Sequence, residues 1–346
     1  MIFESLPTTP RAEELLDKAF SRAARSGRSK SGFEAQESML VTASNIVSDN
    51  LENIVTAWPD FDTVDPFYRE LADAVLRQST FSRETPEGDT DGIDALRGSL
   101  SEVTWASRQI REIRSEYQTK LRNSNPETGR KHRKQAFARI ADILDEISDD
   151  LLRIGAARDA LRDLPDVRPD EPAIVVAGYP NVGKSSFVNR VTRASNEIAS
   201  YPFTTKGVQM GHFERDRIRY QIIDTPGLLD RPEAERNDIE QQAISALEHL
   251  ADAVVFLVDP SGDCGYPLDA QLELRDAVEG RFATRGTPVL TVCNKTDRSR
   301  DVDADAYMSV TEGEGVEEVL DLAVGAVDYD PDIPRRGSTP ESASGL

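Results

Sequence analysis

The stretch from Ala173 to Val191, AIVVAGYPNVGKSSFVNRV, most narrows what this chain can become. Its opening apolar run suits a strand buried on both faces. The run passes through a glycine-framed loop into Lys-Ser-Ser and a segment with helical spacing. A buried strand that turns directly into a helix is the opening unit of a parallel α/β sheet. Gly178 and Gly183 let the backbone curl so that successive N–H groups point inward, with Val182 and Ser186 lining the same turn. Such a nest at a helix N-terminus is suited to phosphate. Lys184 can then reach outer phosphates, and the Ser185 hydroxyl can ligate Mg²⁺.

Three later runs, RYQIID, AVVFLVD and PVLTVCN, have the same strand character and are followed by Gly, Pro or Asp and an amphipathic segment. DTPG ends one of them: Asp224 can hold Mg²⁺ through water, and the Gly227 N–H can follow a γ-phosphate. NKTD ends another. Asp297 there can accept two hydrogen bonds from the N1–H and exocyclic amine of guanine, a donor pair that adenine lacks. Lys295 is expected to lie across the base plane, and Asn294 to tie its loop to the phosphate loop. Ser309 and Val310 open SVTEGEG, where the Val310 N–H can address guanine O6. Between the phosphate loop and DTPG, IASYPFTTKG supplies a switch threonine: Thr205 is expected to complete the Mg²⁺ ligands, with Thr204 the alternative. The metal set is thus Ser185, Thr205 and Asp224. These motifs, in this order at strand carboxyl ends, predict a guanine-nucleotide site.

The first half reads as helix. Thr9-Pro10 looks like a cap and first turn ahead of RAEELLDKAFSRAAR. Leu40, Ala43, Val47, Leu51, Ile54 and Trp58 alternate steps of three and four. Two longer rhythms follow, one from Ile93 to Leu121 and one from Phe137 to Leu161, separated by NSNPETG. Two long helices around a short breaker make an antiparallel hairpin within a three-to-five-helix bundle. The expected fold is therefore an α/β P-loop GTPase domain, mostly parallel with helices on both faces, preceded by an all-α bundle. The predicted bounds are 1–165 for the bundle, 166–172 for a linker, 173–327 for the GTPase domain and 328–346 for a disordered tail.

Charge singles out the hairpin's end. The chain has a formal net charge of −21, yet Lys120 to Arg139 holds seven Lys or Arg against one Glu. General acidity suits a solvated surface, and we read it as that of a halophilic, high-salt cytosol. A local reversal points to a polyanion. Arg130, Lys131, Arg133 and Lys134 lie beside one turn and are expected to grip RNA through phosphates and shape. No apolar run is long enough to span a bilayer and no leader pattern opens the chain, so a cytoplasmic protein with no membrane partner is expected. Cys264 and Cys293 are too few for a disulfide framework.

The residues AGYPNVGKSSFVNRVT, EIASYPFTTKG, IIDTPGLLDRPEAERNDIE, CGYPLDAQ, NKTD and RKHRKQAFARI together resemble the nucleolar GTP-binding (Nog) family of Obg-related GTPases. The resemblance covers most of the chain and implies a GTPase with a helical N-terminal domain that matures the large ribosomal subunit. The chain stops soon after the GTPase domain, as in a short archaeal-type member without the long C-terminal extension. Only eleven residues separate NKTD from SVTEGEG, too few for a full helix plus a strand.

The expected catalytic set is Lys184, Thr205, Gly227 and Asn181. Leu228 stands where many GTPases carry a water-orienting glutamine, which predicts slow intrinsic turnover. Asn181 matches the position that binds K⁺ in potassium-activated relatives, and its other role is to brace the loop. The ligands are then GTP or GDP, Mg²⁺ and K⁺. The partner is the large subunit or its precursor, through rRNA, with the chain a monomer off the ribosome. The competing reading is a guanine-nucleotide sensor or scaffold on the ribosome with negligible turnover.

Overall fold

The structure is a computed structural model that describes residues 2–78, 82–85, 88–162, 164, 167–192, 197–199, 208–225, 229–230, 238–327 and 329. Thr204, Thr205, Gly227, Leu228 and, apart from Tyr329, the expected tail lie outside these residues. The chain forms two compact units. One is built on Met1–Val167 and takes in a later helix as far as His249; the other is built on Arg168–Ile198 and the chain from Leu250 onward.

Six helices of the first unit precede the sheet domain: α1 (Ala12–Arg28), α2 (Gly32–Thr56), α3 (Pro66–Gln78), α4 (Gly92–Arg122), α5 (Pro126–Glu146) and α6 (Ser148–Arg162). Helices α2, α3, α5 and α6 pack along α4, whose Leu96, Val103, Ile110 and Leu121 are fully buried, and α1 packs on α2 and α5. Small buried polar residues let helices approach closely. Ser48 of α2 and Ser107 of α4 face each other, the Ser107 hydroxyl donating to the Ser48 carbonyl at 3.2 Å. Phe20 of α1 stacks on Phe137 of α5 with centroids 4.5 Å apart.

Helix boundaries differ from the sequence reading at several places. The first helix starts at Ala12 rather than after Thr9, because the Arg11 N–H is satisfied by the Glu14 carboxylate (2.9 Å), one half of a capping box. Trp58 lies beyond the end of α2 and joins Phe61 and Phe3 in an aromatic cluster. The rhythm from Phe137 to Leu161 belongs to two helices, not one. Ile147 leaves helical geometry (φ −96°, ψ 9°) while staying buried, so the spacing of apolar residues runs on unbroken. Ser148 with Asp149 and Asp150 then restarts the chain as α6, with acidic groups at the positive end of the helix dipole.

A short antiparallel hairpin, β1 (Ser82–Thr85) with β2 (Gly88–Asp91), also lies in this half. Neither strand carries alternating apolar residues, which is why strand periodicity does not reveal it. The α4–α5 turn is tighter than NSNPETG suggests. Only Asn123–Asn125 are non-helical, Pro126 is the first residue of α5, and the Asn125 side chain accepts the Thr128 N–H at 2.9 Å.

The second unit holds a seven-stranded sheet in the order β4-β5-β6-β3-β7-β8-β9. Its strands are β3 (Ala173–Ala177), β4 (Glu197–Ala199), β5 (Val208–Arg215), β6 (Ile218–Asp224), β7 (Ala253–Val258), β8 (Val289–Cys293) and β9 (Ala306–Tyr307). Strands β6, β3, β7, β8 and β9 pair in parallel, and β5 pairs antiparallel with β6. Helices α7 (Lys184–Val191), α9 (Leu268–Ala283) and α10 (Val316–Ala326) accompany it, while α8 (Asp238–Leu250), between β6 and β7 in the chain, belongs to the first unit as far as His249. Strands β3 and β7 are buried at every residue, as continuous apolar runs require. The parallel core brings the loops after β3, β6, β8 and β9 to one edge of the sheet.

The segment Arg168–Pro172, read as linker, is fastened to the sheet by Gln221 of β6. Its fully buried amide accepts the Arg168 N–H (2.9 Å) and donates to the Arg168 and Glu171 carbonyls (2.6 and 3.0 Å). Tyr329, assigned to the tail, donates its hydroxyl to the Asp170 carbonyl at 3.1 Å.

Candidate nucleotide-binding site

Gly178 leaves β3 with φ 126°, a conformation that side chains resist, and a Cβ there would sit 2.5 Å from the Leu257 carbonyl. Asn181 follows in left-handed geometry (φ 62°), which asparagine tolerates better than most residues, and its side chain is exposed. Gly183 (φ 108°) caps α7. The loop thus curls into the N-terminus of a helix that begins with Lys184 and Ser185.

Lys184 is 6% exposed and folds back over the loop, donating to the Gly178 and Tyr179 carbonyls at 2.7 and 3.0 Å. The Ser185 hydroxyl donates to Asp224 Oδ2, across from β3 at the end of β6. Asp224 is fully buried, and among the described residues its second oxygen, Oδ1, has no hydrogen-bond partner. Burial pushes its carboxyl above the usual range, against the pull of Ser185 and Lys184. A serine hydroxyl beside a buried carboxylate with a vacant oxygen is an oxygen donor set that fits Mg²⁺. Next to it, Thr225 is anchored through its hydroxyl to the Val176 carbonyl (3.0 Å), which fixes the start of the loop after β6. Thr205 and Gly227, the remaining residues assigned to the phosphate end, fall outside the described residues.

The loops after β8 and β9 meet the phosphate loop through Asn294. Its side-chain amide donates to the Val182 carbonyl (2.8 Å), and its Oδ1 accepts the Val310 N–H (3.2 Å). Asn294 is 2% exposed, so neither bond competes with bulk water. The Val310 amide, read in the sequence as a donor to the base, is here committed to this tie. Asp297 accepts the Ser309 hydroxyl at 2.6 Å, and Ser309 in turn closes its own loop by donating its N–H to the Glu314 carbonyl (2.9 Å). Lys295 has a left-handed backbone (φ 57°) and pairs with the buried Asp259 at 2.6 Å. Sequence reasoning gave no role to Asp259 or to Gln271, although an acid at the end of an apolar strand was the available signal.

Arg130, Lys131 and Lys134 are exposed on α5. Arg133 departs from the sequence reading. It is half-buried against Met39 and lies over the Phe137 ring at 5.2 Å, and burial pulls its guanidinium below its ordinary range. Lys120 and Arg139 both pair with Glu116, at 2.6 and 2.7 Å. The outward-facing charge of the tip is therefore smaller than the sequence count and centred on three residues of α5. Among the described residues no helix is long and apolar enough to cross a membrane.

Comparison with known proteins agrees with both halves. Residues 3–168 match the NOG1 N-terminal helical domain, and residues 173–295 match the 50S ribosome-binding GTPase family. An uncharacterized protein of Methanocaldococcus jannaschii is 35% identical over 305 residues, covering 85% of this chain and 81% of its own length. The chain belongs to the nucleolar GTP-binding (Nog) family. Nucleolar GTP-binding protein 1 of Saccharomyces cerevisiae is 31% identical over 330 residues, 91% of this chain and 48% of the yeast protein. This Nog-family chain thus spans about half the length of its yeast relative or less for others, such as the Arabidopsis thaliana protein (36% identical, 71% and 34% covered). A solved Plasmodium falciparum nucleolar GTP-binding protein 1 is 33% identical, covering 47% of this chain and 90% of that one, with a TM-score of 0.43.

Both cysteines of this Nog-family chain are buried near the site. Burial pushes the Cys293 thiol up to about 11 and moves Cys264 in the same direction.

The geometry constrains Gly183 as well as Gly178. A Cβ on Gly183 would overlap the Asn294 side-chain nitrogen as well as strain the backbone. Gly183→Ala should weaken GDP binding by about tenfold or more, the worth of a strained left-handed residue. Calorimetric titration of the folded variant checks this, and unchanged affinity would contradict the packing described.

Proposed function

We propose that the chain is a GTP-hydrolysing switch in the assembly of the large ribosomal subunit, with its helical half contacting ribosomal RNA. The observation that carries this reading is the single constellation formed by Lys184, Ser185 and Asp224 at one end and Asp297 with Ser309 at the other, joined by Asn294. In this reading the phosphates occupy the amide nest and displace Lys184 from the loop carbonyls. The Asp297 carboxylate, oriented by the Ser309 hydroxyl, accepts the two donors of guanine. Ser185 and Asp224, with Thr205 as the proposed third group, would hold Mg²⁺, which when bound offsets phosphate charge. The names of the 50S ribosome-binding GTPase family and of the nucleolar relatives support a ribosomal setting.

Leu228 can neither donate nor accept a hydrogen bond, so intrinsic turnover is slow and positive charge must come from elsewhere. We assign that role to K⁺ held at the exposed Asn181 side-chain carbonyl. The RNA contact is assigned to Arg130, Lys131 and Lys134, which are outward-facing, with Arg133 positioning the helix through its packing. In high salt, counterion release adds less to each phosphate contact, so shape and arginine hydrogen bonds weigh more.

Asp297→Asn should lower GTP affinity by about tenfold to a hundredfold, by removing a charged acceptor, and raise affinity for xanthosine triphosphate. Competition binding with both nucleotides reads this out, and retained GTP preference would refute the base assignment. Replacing K⁺ by Na⁺ at constant total salt should slow phosphate release by about tenfold, if a missing charge at the γ-phosphate is being supplied there. Equal rates in the two salts would remove K⁺ from the mechanism. Changing Arg130, Lys131 and Lys134 together to Ala should cut co-sedimentation with large-subunit precursor particles by about tenfold through lost phosphate contacts, with GTP affinity unchanged. Unaltered co-sedimentation would end the RNA assignment.

A further inference from the structure

The residue that pairs with Lys295 stands out among the buried groups that the reading above leaves without a role. Asp259, just past the end of β7, has no exposed surface. A buried carboxylate is tolerated when its lone pairs are filled and its charge is matched, and here both conditions hold. Oδ1 accepts the Ser261 N–H (3.0 Å) and the Ser261 hydroxyl (2.5 Å). Oδ2 accepts the Cys264 N–H (2.9 Å) and the Lys295 ammonium (2.6 Å). Burial pushes this carboxyl up, but the hydrogen bonds from Lys295 and Ser261 prevail and hold it below the usual carboxylate range.

Asp259 is itself locked in place. Gln271 of α9, fully buried, accepts the Asp259 N–H (2.7 Å) and donates to the Asp259 carbonyl (3.0 Å). The same amide nitrogen reaches the Tyr266 carbonyl at 2.9 Å. Tyr266 packs against Tyr179 of the phosphate loop, with centroids 4.3 Å apart and the rings tilted by 30°. One braced loop therefore touches both the loop that carries Lys295 and the phosphate loop. Lysine is a point charge on a flexible stem, and a free one would have to be ordered each time a ligand arrived. Lys295 is instead held at both ends, by its left-handed backbone and by Asp259.

We propose that Asp259 is a positioning residue for purine recognition, holding the Lys295 side chain in the orientation that covers the ring of a bound guanine. Gln271 serves the same end by fixing Asp259. This rests on the guanine-nucleotide reading of the site. The chemistry needs a carboxylate at this position, since an amide matches neither the charge of Lys295 nor all four donors.

The test is a double-mutant cycle on the full chain, read as release of a fluorescent GDP analogue. Asp259→Asn should speed release by about tenfold, the worth of one charge-assisted hydrogen bond. Lys295→Met should speed it at least as much. In the Lys295→Met background, Asp259→Asn should add nothing, because the residue through which it acts is gone. A purely structural role would instead speed release equally in both backgrounds, and that outcome, or unchanged release in the single variant, overturns the proposal. Should the Asn variant not fold, Asp259→Glu keeps the charge but displaces it, and it must speed release only while Lys295 is present. Wild-type protein that holds no guanine nucleotide would overturn the guanine reading and this proposal together. Tight wild-type binding with an additive cycle would overturn the proposal alone.

Discussion

The carboxyl-terminal edge of the sheet depends on the side chain of Asn294. One buried amide joins the Val182 carbonyl to the Val310 N–H, so that loops from β3, β8 and β9 converge on it. Each bond contributes only about 1 kcal/mol net, but leaving a buried partner unmade costs about 1–3 kcal/mol. That asymmetry locks the three loops into one arrangement. It also explains why Gly183 has no side chain, because the Asn294 amide occupies the space.

The same device recurs around the sheet. Gln221, Gln271 and Asp259 are wholly buried polar residues, each filling several main-chain groups at the margin of an apolar core. The parallel strands supply cohesion through their apolar runs, while these residues supply definition where the backbone leaves the sheet. Asp224 differs from these three. Among the described residues its Oδ1 has no partner, and it stands beside the Ser185 hydroxyl as an oxygen donor.

Much of this was legible in the sequence, for local reasons. The phosphate loop is encoded by glycine geometry within a few residues, and the four long apolar runs became β3, β6, β7 and β8. What escaped notice depended on groups distant in sequence or on weak local signals. The restart at Ile147 is hidden because a buried isoleucine keeps the apolar spacing intact across the break. The start at Arg11 is set by the Glu14 carboxylate accepting the Arg11 N–H rather than by a Thr9 side chain, and the β1–β2 ribbon has no apolar alternation. Arg133 counts as charge in the sequence but packs as an aliphatic and planar surface on Phe137 and Met39. The Asp259–Lys295 pair spans 36 residues, and no spacing rule would have joined them.

The burial of both thiols has a practical side. With Cys293 pushed up to about 11 and Cys264 shifted the same way, little thiolate forms at neutral pH, and neither sulfur meets solvent readily. Electrophilic dyes and mild oxidants should therefore pass the native chain by. A reporter cysteine introduced at the exposed end of α5 would be the sole reactive handle, so spectroscopic distance probes could be mounted there without first stripping the natural sulfurs from the sheet.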